Sequence, residues 1–201
     1  IEVGGHIGFI SQLFANCVGC SGEVIVFEPG ENNLPYLLHN VTQGLADCEA
    51  GNVQVIQVAA SNVCGQAIFY EETLTGQNNS LVEAFDGLNA NQRVAGVSTD
   101  VYEHKIDTKT IDSVANGKSI RLIKIDVEGH EFEVLAGAEL TIEKQRPALM
   151  VEIQANEQKI FDFLMRYGYQ LFTPTGEPCC CPGQLRGNTF ALQSKDANSV
   201  F

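Results

Sequence analysis

The first eight residues constrain this chain most. Glu2-Val3-Gly4-Gly5-His6-Ile7-Gly8 reads as a strand running straight into a glycine-rich turn, and about twenty residues later a second apolar run ends in Phe27-Glu28-Pro29. Glycine is favoured where a backbone must pass close to a ligand, because no Cβ obstructs the approach. An acid at the end of the next strand can accept hydrogen bonds from both hydroxyls of a ribose. The pairing therefore implies an open α/β sheet with a nucleotide-type cofactor at its strand ends. A dinucleotide fingerprint G-x-G-x-x-G would begin at position 3, which is Val3; the chain carries instead an acid two residues ahead of the first glycine, in the form E-x-G-x-x-x-G. Only three residues precede that glycine and the first is not Met, whereas strands usually run about 5–6 residues, so the first strand is expected to be truncated at its N-terminal side.

The rest of the chain alternates strand and helix signals. Ile10, Leu13, Phe14 and Cys17 fall at helical spacing and predict one apolar face toward a sheet. Glu23 to Phe27 lacks polar alternation, the pattern of a strand covered on both faces. Leu34, Leu37, Leu38 and Val41 predict a second amphipathic helix, with Asn32 or Asn33 as its N-cap, and Val53 to Val58 a third strand. From Ala59 to Asp112 the rhythm changes to turn residues and short strands (Ala67 to Glu71, Val97 to Ile106), read as a β-rich insertion. It then returns: a strand from Ile120 to Val127, a helix from His130 to Ile142 with Phe132, Leu135, Ala138 and Ile142 inward, a strand from Ala148 to Ile153 after Pro147, and a helix from about Glu157 to Tyr167 with Ile160, Phe161, Leu164 and Tyr167 inward. Tyr169 to Thr173 and Thr189 to Gln193, with no helix between them, close the chain as an antiparallel pair. The expectation is a single α/β domain over residues 1–201, a Rossmann-like doubly wound sheet of about seven mostly parallel strands with an antiparallel final strand and helices on both faces.

At 201 residues and 44% hydrophobic the chain can bury one core. Its net charge of −13 repels phosphate polymers and anionic membrane surfaces, which argues against nucleic acid as a partner. Every apolar run falls well short of the ~20 residues a membrane helix needs. Seven cysteines at 17, 20, 48, 64 and 179 to 181 show no metal-knuckle spacing. They read as free thiols of a reducing compartment, which places the protein in the cytoplasm, and no metal site is expected.

One stretch exceeds generic sheet logic. Leu122-Ile-Lys-Ile-Asp126-Val-Glu128-Gly129-His130-Glu131 is followed by Val134-Leu135-Ala136-Gly137-Ala138 and Arg146-Pro147. It resembles the K-I-D-V-E-G-x-E, V-L-x-G-A and R-P series of FkbM-type methyltransferases. Glu2 to Gly8 is similar to that family's D-V-G-A-N-I-G, Thr110-Ile111-Asp112 to its T-L-D step, and Asn79-Ser80-Leu81 to its S-S-L element. Together these span residues 1 to about 155 in the family's order. The resemblance implies S-adenosyl-L-methionine as cofactor and methyl transfer to a hydroxyl oxygen of a small molecule or sugar. Carried over by position, Glu2, Gly4 and Gly8 would line the methionine part, with Gly5 and His6 between them, and Glu28 would hold the ribose. Ala59, Ala60 and Ser61 would border adenine, and Asp126 would face the methyl group. His6 stands where the family has Asn, Gly5 where it has Ala, and Glu2 where it has Asp.

Methyl transfer from a sulfonium is an in-line displacement in which positioning dominates, and Glu2, Asp126, Glu128 and Glu152 would form an acid-rich mouth around the positive sulfur. A hydroxyl acceptor needs a general base; the candidates are Asp126, which ends a buried apolar run, and His130. Two other readings remain open on the residues: a nicotinamide-dependent oxidoreductase, which Glu28 would suit, and a methyltransferase-shaped binding module without activity.

Overall fold

Strand β2 (Val24–Phe27) buries all four of its side chains, as a run without polar alternation requires. The computed structural model describes residues 1–43, 52–73, 75–83, 100–194 and 196. The chain divides into two units, residues 1–59 with 65–108 and residues 60–64 with 109–201. The architecture is mixed α/β with a seven-stranded, mostly parallel main sheet, Rossmann-like as the alternation implies.

In the first unit β2 lies between β1 (Glu2–Val3) and β3 (Val53–Ile56), parallel to both, with Glu2 opposite Val26 and Val3 opposite Phe27. Helices α1 (Phe9–Val18) and α2 (Leu34–Gln43) supply Ala15, Leu37 and Val41 to an apolar cluster with Val24 and Val26. The inward face of α1 differs from the expected one. Leu13 is 52% exposed and Cys17 is exposed, whereas Ser11 and Ala15 are buried. The reason is a buried acid: the Ser11 hydroxyl donates to Glu2 Oε2 at 2.5 Å, which turns the Ser11 and Ala15 stripe toward the sheet. On α2, Leu38 likewise points out while Leu37 and Val41 point in.

After β4 (Ala59–Ala60), strands β5 (Gly65–Glu72) and β6 (Val101–Lys109) pair antiparallel from Gly65 opposite Thr108 to Glu72 opposite Val101. The polar stretch after β5 folds back, with Ser80 bridging Tyr70. Most of the Gly76 to Ser98 loop lies outside the described residues.

The second unit continues with α3 (Ile111–Ala115), β7 (Leu122–Ile125), α4 (Glu131–Ala136), α5 (Glu139–Gln145), β8 (Ala148–Ile153), α6 (Glu157–Arg166), β9 (Gln170–Phe172) and β10 (Gly187–Leu192). β7 runs parallel to β8, and β10 pairs antiparallel with both β8 and β9, so the last strand is antiparallel as expected. The single helix expected from His130 to Ile142 is two. Asp112 accepts the amides of Leu140 at 3.0 Å and Thr141 at 2.8 Å, satisfying the free N–H groups of a new helix start and dividing the run at Gly137 and Ala138. A Cβ at Gly137 would lie 2.0 Å from the Ser61 carbonyl oxygen. Along α4 and α5 and the Ala138 cap between them, Val134, Leu135, Ala138 and Ile142 are buried and Phe132 is half-buried; in α6 Phe163 is buried and Phe161 half-buried, as is Tyr167 at its C-terminal cap.

The free-thiol reading needs correction at one position. Cys20, in the short 3-10 turn that follows α1, is disulfide-bonded, while Cys17, Cys64, Cys179, Cys180 and Cys181 are free. Disulfides persist in oxidising compartments, so the thiol argument for a reducing cytoplasm loses its basis at Cys20. Among the described residues no helix is long and apolar enough to cross a membrane.

Candidate functional site

The opening turn and the acid at the end of β2 are built as one piece. Gly4 and Gly8 have left-handed backbones (φ 81 and 86), which glycine adopts without strain, and His6 between them is also left-handed at φ 47. The amides of Gly4 and Gly5 both donate to the Phe27 carbonyl, at 3.0 and 3.2 Å. The His6 amide donates to Glu28 Oε2 at 2.7 Å. On the other side, Glu28 Oε1 accepts from the Gly30 amide at 2.9 Å and from Asn33 Nδ2 at 3.2 Å. Burial pushes the Glu28 carboxyl up to about 7, against the lowering effect of the Gly30, His6 and Asn33 hydrogen bonds. Each carboxylate oxygen can accept two hydrogen bonds. Oε1 is filled and Oε2 retains a lone pair, so this buried acid has room for one more donor such as a hydroxyl.

A second layer ties the segment after β5 to the same turn. The Asn32 amide donates to Glu71 Oε1 at 2.7 Å and its side chain to the Glu72 carbonyl at 3.0 Å; Asn33 Nδ2 donates to the Gly76 carbonyl at 2.9 Å; Asn79 Nδ2 reaches Asn32 Oδ1 at 3.2 Å. Asn33 stands where an N-cap for α2 was expected, but its amide group works as a donor to Glu28 and Gly76.

Two expected cofactor residues have other neighbours. Glu2 is buried against Ser11 of α1. The α-hydrogen of Gly5 faces the core, where a Cβ would come 2.3 Å from Val26 Cγ1 and 3.3 Å from Leu37 Cδ2; its smallness serves the packing of β2 and α2.

In the second unit the end of β7 carries a different acid. Asp126 has a 36% exposed side chain, and its Oδ2 lies 3.0 Å from the ammonium of Lys124, which is buried. Asp126 also shares a hydrogen bond with Glu152 of β8. Two residues on, Glu128 is hydrogen-bonded to Gln154, and burial pushes its carboxyl up to about 7, with the neighbouring Asp126, Glu152 and Glu131 carboxyls adding to the rise. Glu131 is fully buried; its Oε1 accepts from the Gly129 amide at 3.2 Å, and burial raises this carboxyl to about 7 as well.

The other candidate base has both ring nitrogens facing neighbours. His130 Nε2 is 3.0 Å from the hydroxyl of Ser61, and Nδ1 is 3.8 Å from Glu133 Oε2. Burial lowers the imidazole from its ordinary value, against the opposing effect of Glu133, so the ring is neutral near pH 7. Ala60 and Ser61 are buried, and the Ser61 hydroxyl is spent on His130 and on Asn62 Oδ1 at 3.3 Å.

The model of the Methyltransferase FkbM domain matches residues 2–171. The chain belongs to the FkbM methyltransferase family. It is 26% identical over 151 residues to "Methyltransferase 1" of Beauveria bassiana (strain ARSEF 2860), a match that takes in 68% of this chain and 57% of that protein. The crystal structure of Methyltransferase FkbM from Methylobacillus flagellatus KT superposes with a TM-score of 0.60 at 18% identity, over 94% of this chain and 42% of the other. This chain thus spans about half the length of the relatives it matches.

Set against the FkbM motifs, residues given no site role by the sequence are partners of those that were. Ser11 satisfies Glu2, Asn33 satisfies Glu28, Lys124 pairs with Asp126, and Glu133 faces His130. Lys124 had a signal, since it opens the K-I-D motif; Ser11 and Asn33 are ordinary helix-start residues that only the fold joins to an acid.

Proposed function

We propose that this protein is an S-adenosyl-L-methionine-dependent methyltransferase that methylates a hydroxyl oxygen on a small molecule or sugar. The observation that carries the reading is the hydrogen bond from the His6 amide to Glu28, which makes the glycine turn and the strand-end acid a single binding element. The residues fit the cofactor: a buried carboxyl with one lone pair left suits a ribose hydroxyl, and such a carboxyl gains from each added donor. Glu28 would hold the ribose, the backbone of Gly4, His6 and Gly8 the methionine end, and Ala60 and Ser61 the adenine border. When bound, the cofactor supplies an electrophilic methyl group on a sulfonium. The chain's own contribution is a base for the acceptor hydroxyl. Asp126 suits that role better than His130, because it is partly open to solvent while both nitrogens of His130 face side chains of its own unit.

The strongly negative chain favours a neutral or cationic acceptor over a phosphorylated one. Titration calorimetry with S-adenosylmethionine, S-adenosylhomocysteine and NAD separates the possibilities. Binding of the two adenosyl ligands without NAD is expected. NAD binding alone would return the oxidoreductase reading, and no binding at all would favour a module without activity.

A further inference from the structure

Strands β7 and β8 run in register from Leu122 opposite Ala148 to Ile125 opposite Val151. Asp126 and Glu152 are the residues that follow this last pair along the two strands. Side chains alternate along a strand, so Lys124 and Asp126 share a face of β7, and Glu152 meets them from the neighbouring strand. On the far side of Glu152, β10 places Asn188, an uncharged residue, at the same level. A hydrogen bond between two carboxyl groups requires one proton between them. The Lys124 ammonium already lies on Asp126 Oδ2, at 3.0 Å, which makes Asp126 the accepting carboxyl and Glu152 the donor of the pair. Burial and the Asp126 charge raise the Glu152 carboxyl in the same sense, with Lys124 opposing.

We propose that Glu152 is a positioning residue: its carboxyl donates the hydrogen bond that, together with the Lys124 ammonium, fixes the Asp126 carboxylate in the orientation that takes a proton from the acceptor hydroxyl. This rests on the methyltransferase reading given above. The acceptor O–H proton goes to Asp126, the oxygen forms its new bond to the methyl carbon, and the electron pair of the broken carbon–sulfur bond stays on the sulfur of the departing sulfonium donor. Glu152 keeps its own proton throughout. The arrangement predicts a particular rescue. Gln at position 152 retains an N–H to donate to Asp126, whereas Ala has none.

The test combines turnover with a readout independent of it. S-adenosylhomocysteine release against a panel of methyl glycosides is followed across pH in wild type, Glu152→Ala and Glu152→Gln. Glu152→Ala is expected to lose about tenfold or more in kcat with an unchanged Kd for S-adenosylmethionine. Glu152→Gln is expected to stay within about threefold of wild type and to lose the alkaline fall that wild type shows as Glu152 gives up its proton. Carbon-13 carboxyl resonances provide the second readout, with the Glu152 signal assigned by its absence in Glu152→Gln or, should that variant not fold, in Glu152→Ala. That signal should titrate above the ordinary glutamate range in wild type and drop by at least about one pH unit in Asp126→Asn. A Gln variant as impaired as the Ala variant, or a Glu152 signal that titrates in the ordinary range, overturns the proposal. Failure of S-adenosylmethionine to bind would sink the methyltransferase reading instead, and the carboxyl titration would still decide whether Glu152 holds Asp126.

Discussion

Strands β2 and β7 end alike, each closed by one acid after an apolar residue, yet the two acids live in opposite surroundings. Glu28 is 4% exposed and receives three hydrogen bonds from its own unit. Those donors are neutral amides, and burial leaves the carboxyl at about 7. Asp126 is partly open, sits on a lysine ammonium and shares a hydrogen bond with a second carboxyl. A strand-end acid wrapped in amides is suited to shape a turn and accept one more hydrogen bond. A strand-end acid held by a cation and open on one side is suited to receive a proton. On the proposed function, the difference would assign binding to one and chemistry to the other of two residues that a motif would treat alike.

Breaking the first of these should have the largest effect on the fold. Glu28→Ala leaves the His6 amide, the Gly30 amide and one N–H of the Asn33 side chain without their acceptor, a loss of roughly 3–9 kcal/mol at about 1–3 kcal/mol for each buried unsatisfied group. Urea unfolding should show it as a lowered midpoint, smaller for Glu28→Gln, which keeps one oxygen; an unchanged midpoint would mean that the turn does not depend on this acid. Asp126→Asn should do the reverse. Asn retains an oxygen for Lys124, so the unfolding midpoint should hold while turnover falls by about 10²–10⁴. Turnover within tenfold of wild type would remove Asp126 as the base.

Acidity sharpens the same contrast. Glu28, Glu128 and Glu131 all stand near 7 because burial disfavours their charged forms. The native state therefore holds more protons than the unfolded chain between about pH 4.5 and 7. Their stabilising contribution is complete below that window and is lost as pH rises through 7. For Glu28 this is on the order of 3 kcal/mol. The thermal midpoint should fall between pH 5 and pH 8 and fall less in Glu28→Gln; a midpoint that rises over this range would contradict the assignment. The smallest effect belongs to His130. His130→Gln should cost less than about tenfold in turnover, and a loss matching that of Asp126→Asn would show that its ring takes the proton.

Much of the frame was legible beforehand, because an unbroken apolar run of strand length such as Val24–Phe27 reads as a covered strand, and the K-I-D-V-E-G segment named the family. The helix faces were less so. Periodicity placed Leu13 and Cys17 inward on α1, since apolar spacing cannot register that a buried Glu2 needs the Ser11 hydroxyl. It ran one helix through Gly137, since the acid that starts α5 is Asp112, more than two dozen residues away in sequence. The partners of other site acids were hidden for the same reason: Ser11 and Asn33 are ordinary helix-start residues that acquire their roles only when the fold brings them to Glu2 and Glu28, whereas Glu152 already stood with Asp126 among the acids of the expected mouth.

The division of labour between the two strand-end acids is most directly tested by measuring S-adenosylmethionine affinity calorimetrically in Glu28→Gln and Asp126→Asn side by side. The account predicts that Glu28→Gln weakens binding by at least about tenfold, in line with the loss of a hydrogen bond to a charged group, while Asp126→Asn stays within about threefold of wild type. Equal losses in the two variants, or an affinity that depends on Asp126 and not on Glu28, would contradict it.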